Sequence, residues 1–196
     1  MKVLLKQDGR AAVGGSPLVM HNERLADPLD PIVREIAATS KKRNKTEADH
    51  LEIARLEFAG GLYTNGNGPC LPAWNILRCL QDGARRVKRG PDVLRGVYPL
   101  SDHADVQYEG PRDTVELWKD GGFSLRKTVG IQRARTMRTR PIFTDWQTEL
   151  PVEVDATVWD LDTLAEVWRL SGIYAGIGEM RPVYGRFSGT LAEVKA

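Results

Sequence analysis

Acidic residues are absent from Gly121 to Thr144, a long gap in a chain that is otherwise balanced in charge. Histidine and cysteine are also scarce, with 3 and 2 copies in 196 residues. Cys70 and Cys79 have no histidine pair beside them, so no zinc-ligand pattern exists and two reduced thiols are expected. His21, His50 and His103 fall in separate segments, which leaves little material for acid–base chemistry. No P-loop, dinucleotide fingerprint or nucleophile elbow occurs, and no cofactor is called for. No apolar run reaches bilayer-spanning length, so no membrane partner is expected. The short apolar stretch Met1–Lys6 lacks a signal-peptide core, which predicts a cytoplasmic protein. The net charge is only +2, so any argument for a polyanionic partner rests on how charge is distributed.

What remains is an ordinary globular composition, 41% hydrophobic and 28% charged. Met1–Lys6 and Pro17–His21 read as short strands around a turn at Gly14-Gly15. Asp30 caps a helix with Pro31 at its first position, and Ile32, Val33, Ile36 and Ala37 share one face. Thr46, with Asp49 as a capping-box partner, opens a second helix that ends at Gly60-Gly61. Pro72 opens a third. Its stripe is Ile76, Leu77, Leu80, Ala84 and Val87, its remaining surface carries Arg78, Arg85, Arg86, Lys88 and Arg89, and Gly90-Pro91 stops it.

Val97–Leu100, Val106–Tyr108 and Val115–Trp118 read as short strands. The clearest strand is Ile142–Val154, with Ile142, Thr144, Trp146, Thr148, Leu150, Val152 and Val154 on one face and Pro151 implying an edge or a bulge. Asp160 caps a fourth helix, with Leu161, Leu164, Val167 and Trp168 inward and Gly172 at its end; a last strand runs from Val183 to about Val194. This order predicts an α+β fold, a ferredoxin-like antiparallel sheet with helices on one face. Residues 1–196 are expected to form a single domain, with a helical insertion at about 27–62 and a basic hairpin at about 121–142.

The acid-free window holds Arg126, Lys127, Arg133, Arg135, Arg138 and Arg140. Strand alternation puts Arg133 and Arg135 on one face and Arg138 and Arg140 on the other, a track for phosphates. The competing reading is a solvated hairpin whose charges pair with Glu149, Glu153 and Asp155. Lys41, Lys42 and Arg43 form a second basic cluster in an inter-helix loop, either solvated or binding. In the last quarter, Gly176, Gly178 and Gly185 allow sharp bends and close approach to a partner, and Arg181, Tyr184 and Arg186 line the same loop, which suits a polyanion. That loop follows a helix, whereas nucleotide-binding glycine loops follow a strand and open a helix. Trp146 and Trp168 sit on expected core faces, while Trp74 and Trp118 either pack or stack on bases. Asp102, His103 and Asp105 have spacing too generic to assign a metal.

Two of these segments resemble the RAMP superfamily, the RRM-like proteins of CRISPR effector complexes. Pro69-Cys-Leu-Pro-Ala-Trp-Asn-Ile-Leu-Arg-Cys-Leu80 is similar to that family's entry into its first helix. The C-terminal helix followed by Gly176-Ile-Gly178 and Gly185-Arg186-Phe187 is similar to its glycine-rich loop before the last strand. The whole chain also resembles proteins of about this size encoded by tailed phages and prophages. The first resemblance implies an RRM-like core. It also implies contact with the RNA backbone through the basic strand face and through Gly176, Gly178, Arg181, Gly185 and Arg186. The leading expectation is a non-enzymatic, phage- or mobile-element-encoded protein of the host cytoplasm that binds single-stranded RNA or DNA, self-assembling along the strand. One alternative is a protein-interaction role, such as an inhibitor that mimics a subunit of a host defence or CRISPR effector complex. Another is a RAMP-type endoribonuclease, for which His21 is the only histidine ahead of the helices.

Overall fold

The computed structural model of the chain describes residues 1–131 and 134–194. In chain order its elements are β1 (Lys2–Asp8), β2 (Leu18–Val19), α1 (Pro31–Ser40), α2 (Glu47–Gly61), β3 (Cys70–Pro72), α3 (Ala73–Arg85), α4 (Gly90–Gly96), β4 (Val97–Pro99), β5 (His103–Asp105), α5 (Thr114–Asp120), β6 (Ser124–Ile131), β7 (Ala134–Phe143), β8 (Gln147–Val154), α6 (Leu161–Leu170) and β9 (Ser188–Glu193). A π-helical turn, Ser171–Ala175, extends α6. The fold is α+β. The chain divides into two compact units: Met1–Leu18 with Thr64–Glu109 and Phe143–Ala196, and Val19–Tyr63 with Gly110–Ile142.

The first unit is built on a sheet of order β4-β8-β1-β9 in which every neighbouring pair is antiparallel. Read along the chain as β1, α3, β4, β8, α6, β9, this is the split β-α-β order of a ferredoxin-like core. Alternation decides the buried face. Val3 and Leu5 of β1 and Leu150, Val152 and Val154 of β8 are all essentially inaccessible to solvent. Ile76, Leu80 and Ala84 of α3 and Leu164, Val167 and Trp168 of α6 complete this core. Trp168 donates its indole N–H to the Lys6 carbonyl at 2.9 Å, and its ring lies 4.8 Å from that of Phe187. Burial of each large apolar side chain contributes about 1.5–3 kcal/mol. Cys70 and Cys79 are both buried and unpaired; burial pushes the Cys70 thiol up to about 11 and the Cys79 thiol higher still.

Several expected boundaries move. The strand expected from Ile142 to Val154 breaks at Thr144–Trp146, so Phe143 rather than Ile142 is fully buried and Thr144 is exposed. The alternation holds from Trp146 onward. Pro151 lies inside the sheet, opposite Leu4, not at an edge. Its carbonyl accepts from the Leu100 N–H at 2.9 Å, so its nitrogen faces the end of β4, where no ladder donor is required. The third helix ends at Arg85, before the expected stop at Gly90-Pro91, which instead opens α4; Val87, expected in the helix stripe, lies beyond the end of α3 and is exposed. The strand of this region pairs earlier than expected: β5 pairs with β3, while Gln107 makes only an isolated bridge to Gln147. The last strand starts at Ser188, because Met180 and Gly185 adopt positive φ and Val183 stands 72% exposed in a turn.

In the second unit, Asp30 accepts from the Ile32 N–H and caps α1. Thr46 and Asp49 exchange both bonds of a capping box at the start of α2. Residues Val115–Trp118, expected as a strand, belong to helix α5: the Asp113 carboxylate accepts from the Val115 and Glu116 N–H groups, and a buried Leu117 faces inward. Phe58 of α2 meets Trp118 of α5 at 5.5 Å between ring centres, which leaves Trp118 half-buried. The sheet of this unit has the order β2-β7-β6, with the Met20 N–H bonded to the Pro141 carbonyl at 3.0 Å.

Candidate nucleic-acid interface

Strands β6 and β7 form an antiparallel hairpin in the register Arg126↔Thr139, Lys127↔Arg138 and Gly130↔Arg135. Arg126 and Arg135 therefore share one face with Met137, and Lys127, Arg138 and Arg140 share the other. Arg126, Lys127 and Arg135 are exposed. Arg138 is engaged instead: its Nη1 donates to Glu57 Oε1 at 2.5 Å, and the Thr139 N–H donates to Glu57 Oε2 at 2.8 Å. Arg140 is 6% exposed, with Nη1 donating to the Thr139 carbonyl at 3.3 Å. Arg133 lies outside the described residues. The partner of Arg138 is thus Glu57, while the Glu149 carboxylate holds Lys6 at 2.8 Å.

In the same unit, Lys41, Lys42 and Arg43 are exposed on the loop between α1 and α2. Lys42 Nζ donates to Asp49 at 2.5 Å, which with the Thr46 bonds holds the Asp49 carboxyl at about 2, well below its ordinary value. Lys42 is therefore tied into the cap of α2, while Lys41 and Arg43 beside it are exposed.

The glycine-rich loop belongs to the first unit and is closed on itself. The Ile177 N–H donates to the Gly185 carbonyl at 2.9 Å, and the Gly185 N–H donates to the Pro17 carbonyl at 2.8 Å. Gly185 has φ 72° and is buried; a Cβ there would stand 1.7 Å from the Ile177 carbonyl oxygen. Gly176, at φ 67°, would place a Cβ 3.1 Å from the Tyr184 carbonyl. Both glycines thus face their own chain. Gly178 is half-buried at φ 83°. Arg181 reaches back to α3 and donates to Asp82 Oδ2 at 3.1 Å. The Arg186 side chain is exposed, while its backbone exchanges bonds with Ser16.

The face of the four-stranded sheet opposite the helices offers little to a polyanion. RRM modules stack bases on strand aromatics. Here Tyr98 is the one aromatic on that face among the described strand residues, and Asp8, Glu149 and Glu153 outnumber Lys2 and Lys6. A cleft of about 610 Å³ opens beside it, lined by Asn65, Ser101, His103, Asp105, Gln107 and Glu149 among others. Its carboxylates repel phosphate. Among the described residues, no three His, Cys, Asp or Glu side chains gather as a metal-ligand set, so Asp102, His103 and Asp105 do not converge.

Two features of this arrangement have no signature in the sequence. One is the role of Glu57, an unremarkable glutamate in a helix, as anchor of the hairpin. The other is the position of Asp82 between Arg78, Arg85 and Arg181. The spacing of Arg78, Asp82 and Arg85 on α3 announces a pairing within the helix, but nothing announces Arg181. No protein-family model matches this sequence, and no curated protein matches it as a relative.

Proposed function

We propose that this protein binds single-stranded nucleic acid through backbone phosphates and does so without catalysing a reaction on it. The observation that carries the reading is the β6–β7 hairpin, where Arg126 and Arg135 on one face and Lys127 on the other are exposed in a stretch without acids. Guanidinium groups match phosphate oxygens in geometry as well as charge. Lys41 and Arg43 add positive charge in the same unit. The clustering matters because net charge alone, at +2, attracts nothing at long range.

The test is the salt dependence of binding to labelled oligonucleotides, RNA and DNA side by side. Affinity should fall steeply with salt. The triple variant Arg126→Glu, Lys127→Glu, Arg135→Glu should lose binding and flatten the residual slope, since each lost phosphate contact removes about one counterion from the release. Absence of binding by the unmodified protein at low salt sinks the reading.

A second reading, protein association, is favoured by one observation: among the described residues, β6 has a strand neighbour on one side only. Such an edge accepts an added strand from a second copy or another protein. A concentration-dependent sedimentation coefficient without nucleic acid, abolished by Thr128→Pro, supports this reading.

A further inference from the structure

The exposed side of α3 carries an aromatic–arginine stripe that the hairpin reading does not use. Residues 74, 78, 82 and 85 recur at helical spacing and so lie along one side of the helix. Trp74, at 59% exposure, begins the stripe, and Arg78, Asp82 and Arg85 continue it. Asp82 is ringed by three guanidinium groups: Arg85 at 2.5 Å, Arg181 at 3.1 Å and Arg78 at 3.5 Å. The next residue, Arg86, lies over the ring of Tyr174 at 4.2 Å from its centre, and Tyr174 is 51% exposed.

We propose that this stripe is a second binding site for single-stranded nucleic acid, with bases stacking on Trp74 and Tyr174 and phosphates held by the arginines between them. The inference rests on the nucleic-acid reading above and places a further site in the other unit. Charge complementarity selects the partner: Arg78, Arg85 and Arg181 surround one carboxylate, and Arg86 adds a fourth cation beside them. Asp82, with Gln81 at Arg78 Nη1, occupies only some of the guanidinium N–H donors, and the three side chains stay 37–51% exposed. From Trp74 to Arg85 the helix rises about 16 Å, the span of a few nucleotides of extended strand. A row of cations between aromatic platforms is the pattern of sequence-tolerant strand binding. The aromatics also separate this surface from a plain ion-pair network: a network that only pinned the 176–185 loop to α3 requires neither Trp74 nor Tyr174 to be exposed.

The experiment reads intrinsic fluorescence and affinity together. Trp146, Trp159 and Trp168 are at 0% exposure, so Trp74 is the indole most open to a stacking base. Unlabelled oligo-dT and oligo-U of about ten nucleotides should quench tryptophan emission at low salt. Trp74→Phe should abolish that quenching. Trp74→Leu with Tyr174→Leu should weaken binding about tenfold or more, as loss of two stacked bases does. Arg85→Gln with Arg86→Gln provides an independent variant should the aromatic double variant fail to fold. If these variants bind as tightly as the unmodified protein while the hairpin variant does not, this inference falls and the proposed function stands. If the unmodified protein binds neither oligonucleotide, both fall.

Discussion

Arg138 and Glu57 form a part-buried ion pair in which Glu57, with a side chain 5% exposed, also accepts the Thr139 N–H. One carboxylate on α2 thereby anchors both the backbone and a side chain of β7. The Arg138 side chain is 31% exposed and can turn to water, so Glu57→Ala chiefly leaves the buried Thr139 N–H without its acceptor, at a cost of about 1–3 kcal/mol. The expected result is a matching loss in urea unfolding free energy. Arg138→Glu, which sets two carboxylates against each other, should be at least as damaging. Loss of nucleic-acid binding in an Arg138 variant is therefore no evidence of a phosphate contact, which is why Arg126, Lys127 and Arg135 are the residues to reverse.

Gly185 and Gly14 both have positive φ, at 72° and 81°, but only Gly185 is hemmed in by backbone. Gly14→Ala meets no atom within 4 Å and should cost only the left-handed penalty of about 1–2 kcal/mol. Gly185→Ala adds a clash with the Ile177 carbonyl at 1.7 Å and should cost clearly more. Paired thermal melts decide this; equal losses would mean that the loop yields easily and that Gly185 is a turn residue like Gly14.

Trp168→Ala should destabilise the protein by about 3–5 kcal/mol, since it empties a core position and removes the bond to the Lys6 carbonyl. Glu149→Ala, on the opposite side of the sheet, loses only a half-exposed pair with Lys6 and should cost below about 1 kcal/mol. Similar midpoint shifts for the two variants would show that the sheet is oriented the other way round.

The cap of α2 should respond to acid. Asp49 titrates at about 2 in the folded protein against 3.8 ordinarily, because Lys42 and Thr46 stabilise the carboxylate. A folded value below the unfolded one favours folding at pH above the unfolded value. That contribution declines as pH falls from about 4 and is gone below about 2. Carbon-detected NMR titration of the Asp49 carboxyl should give a midpoint near 2 in the native protein. Lys42→Ala should move it upward, and a midpoint unchanged by Lys42→Ala would assign the shift to the capping box alone.

Helix starts were legible because their causes are local. Asp30, Thr46 and Asp160 each bond to an N–H within three residues, so the capping sequence contains the whole interaction. The ferredoxin-like order of the first unit was also legible, since alternation in β1 and β8 and helical stripes in α3 and α6 specify which faces must be buried. The α5 segment was misread because Val115-Glu-Leu-Trp118 alternates as well as it coils, and the deciding cap, Asp113, lies just outside it. Tertiary structure decided everything that depends on distant partners. Six basic residues in one acid-free window are equivalent in sequence, yet Glu57, 81 residues before Arg138, takes that one out of the exposed set. The same holds for Gly185, whose need for glycine comes from the Ile177 carbonyl, and for Arg181, whose partner Asp82 lies on α3. Charge and periodicity are carried by neighbouring residues, whereas burial and pairing are set by long-range contacts that only folding brings about.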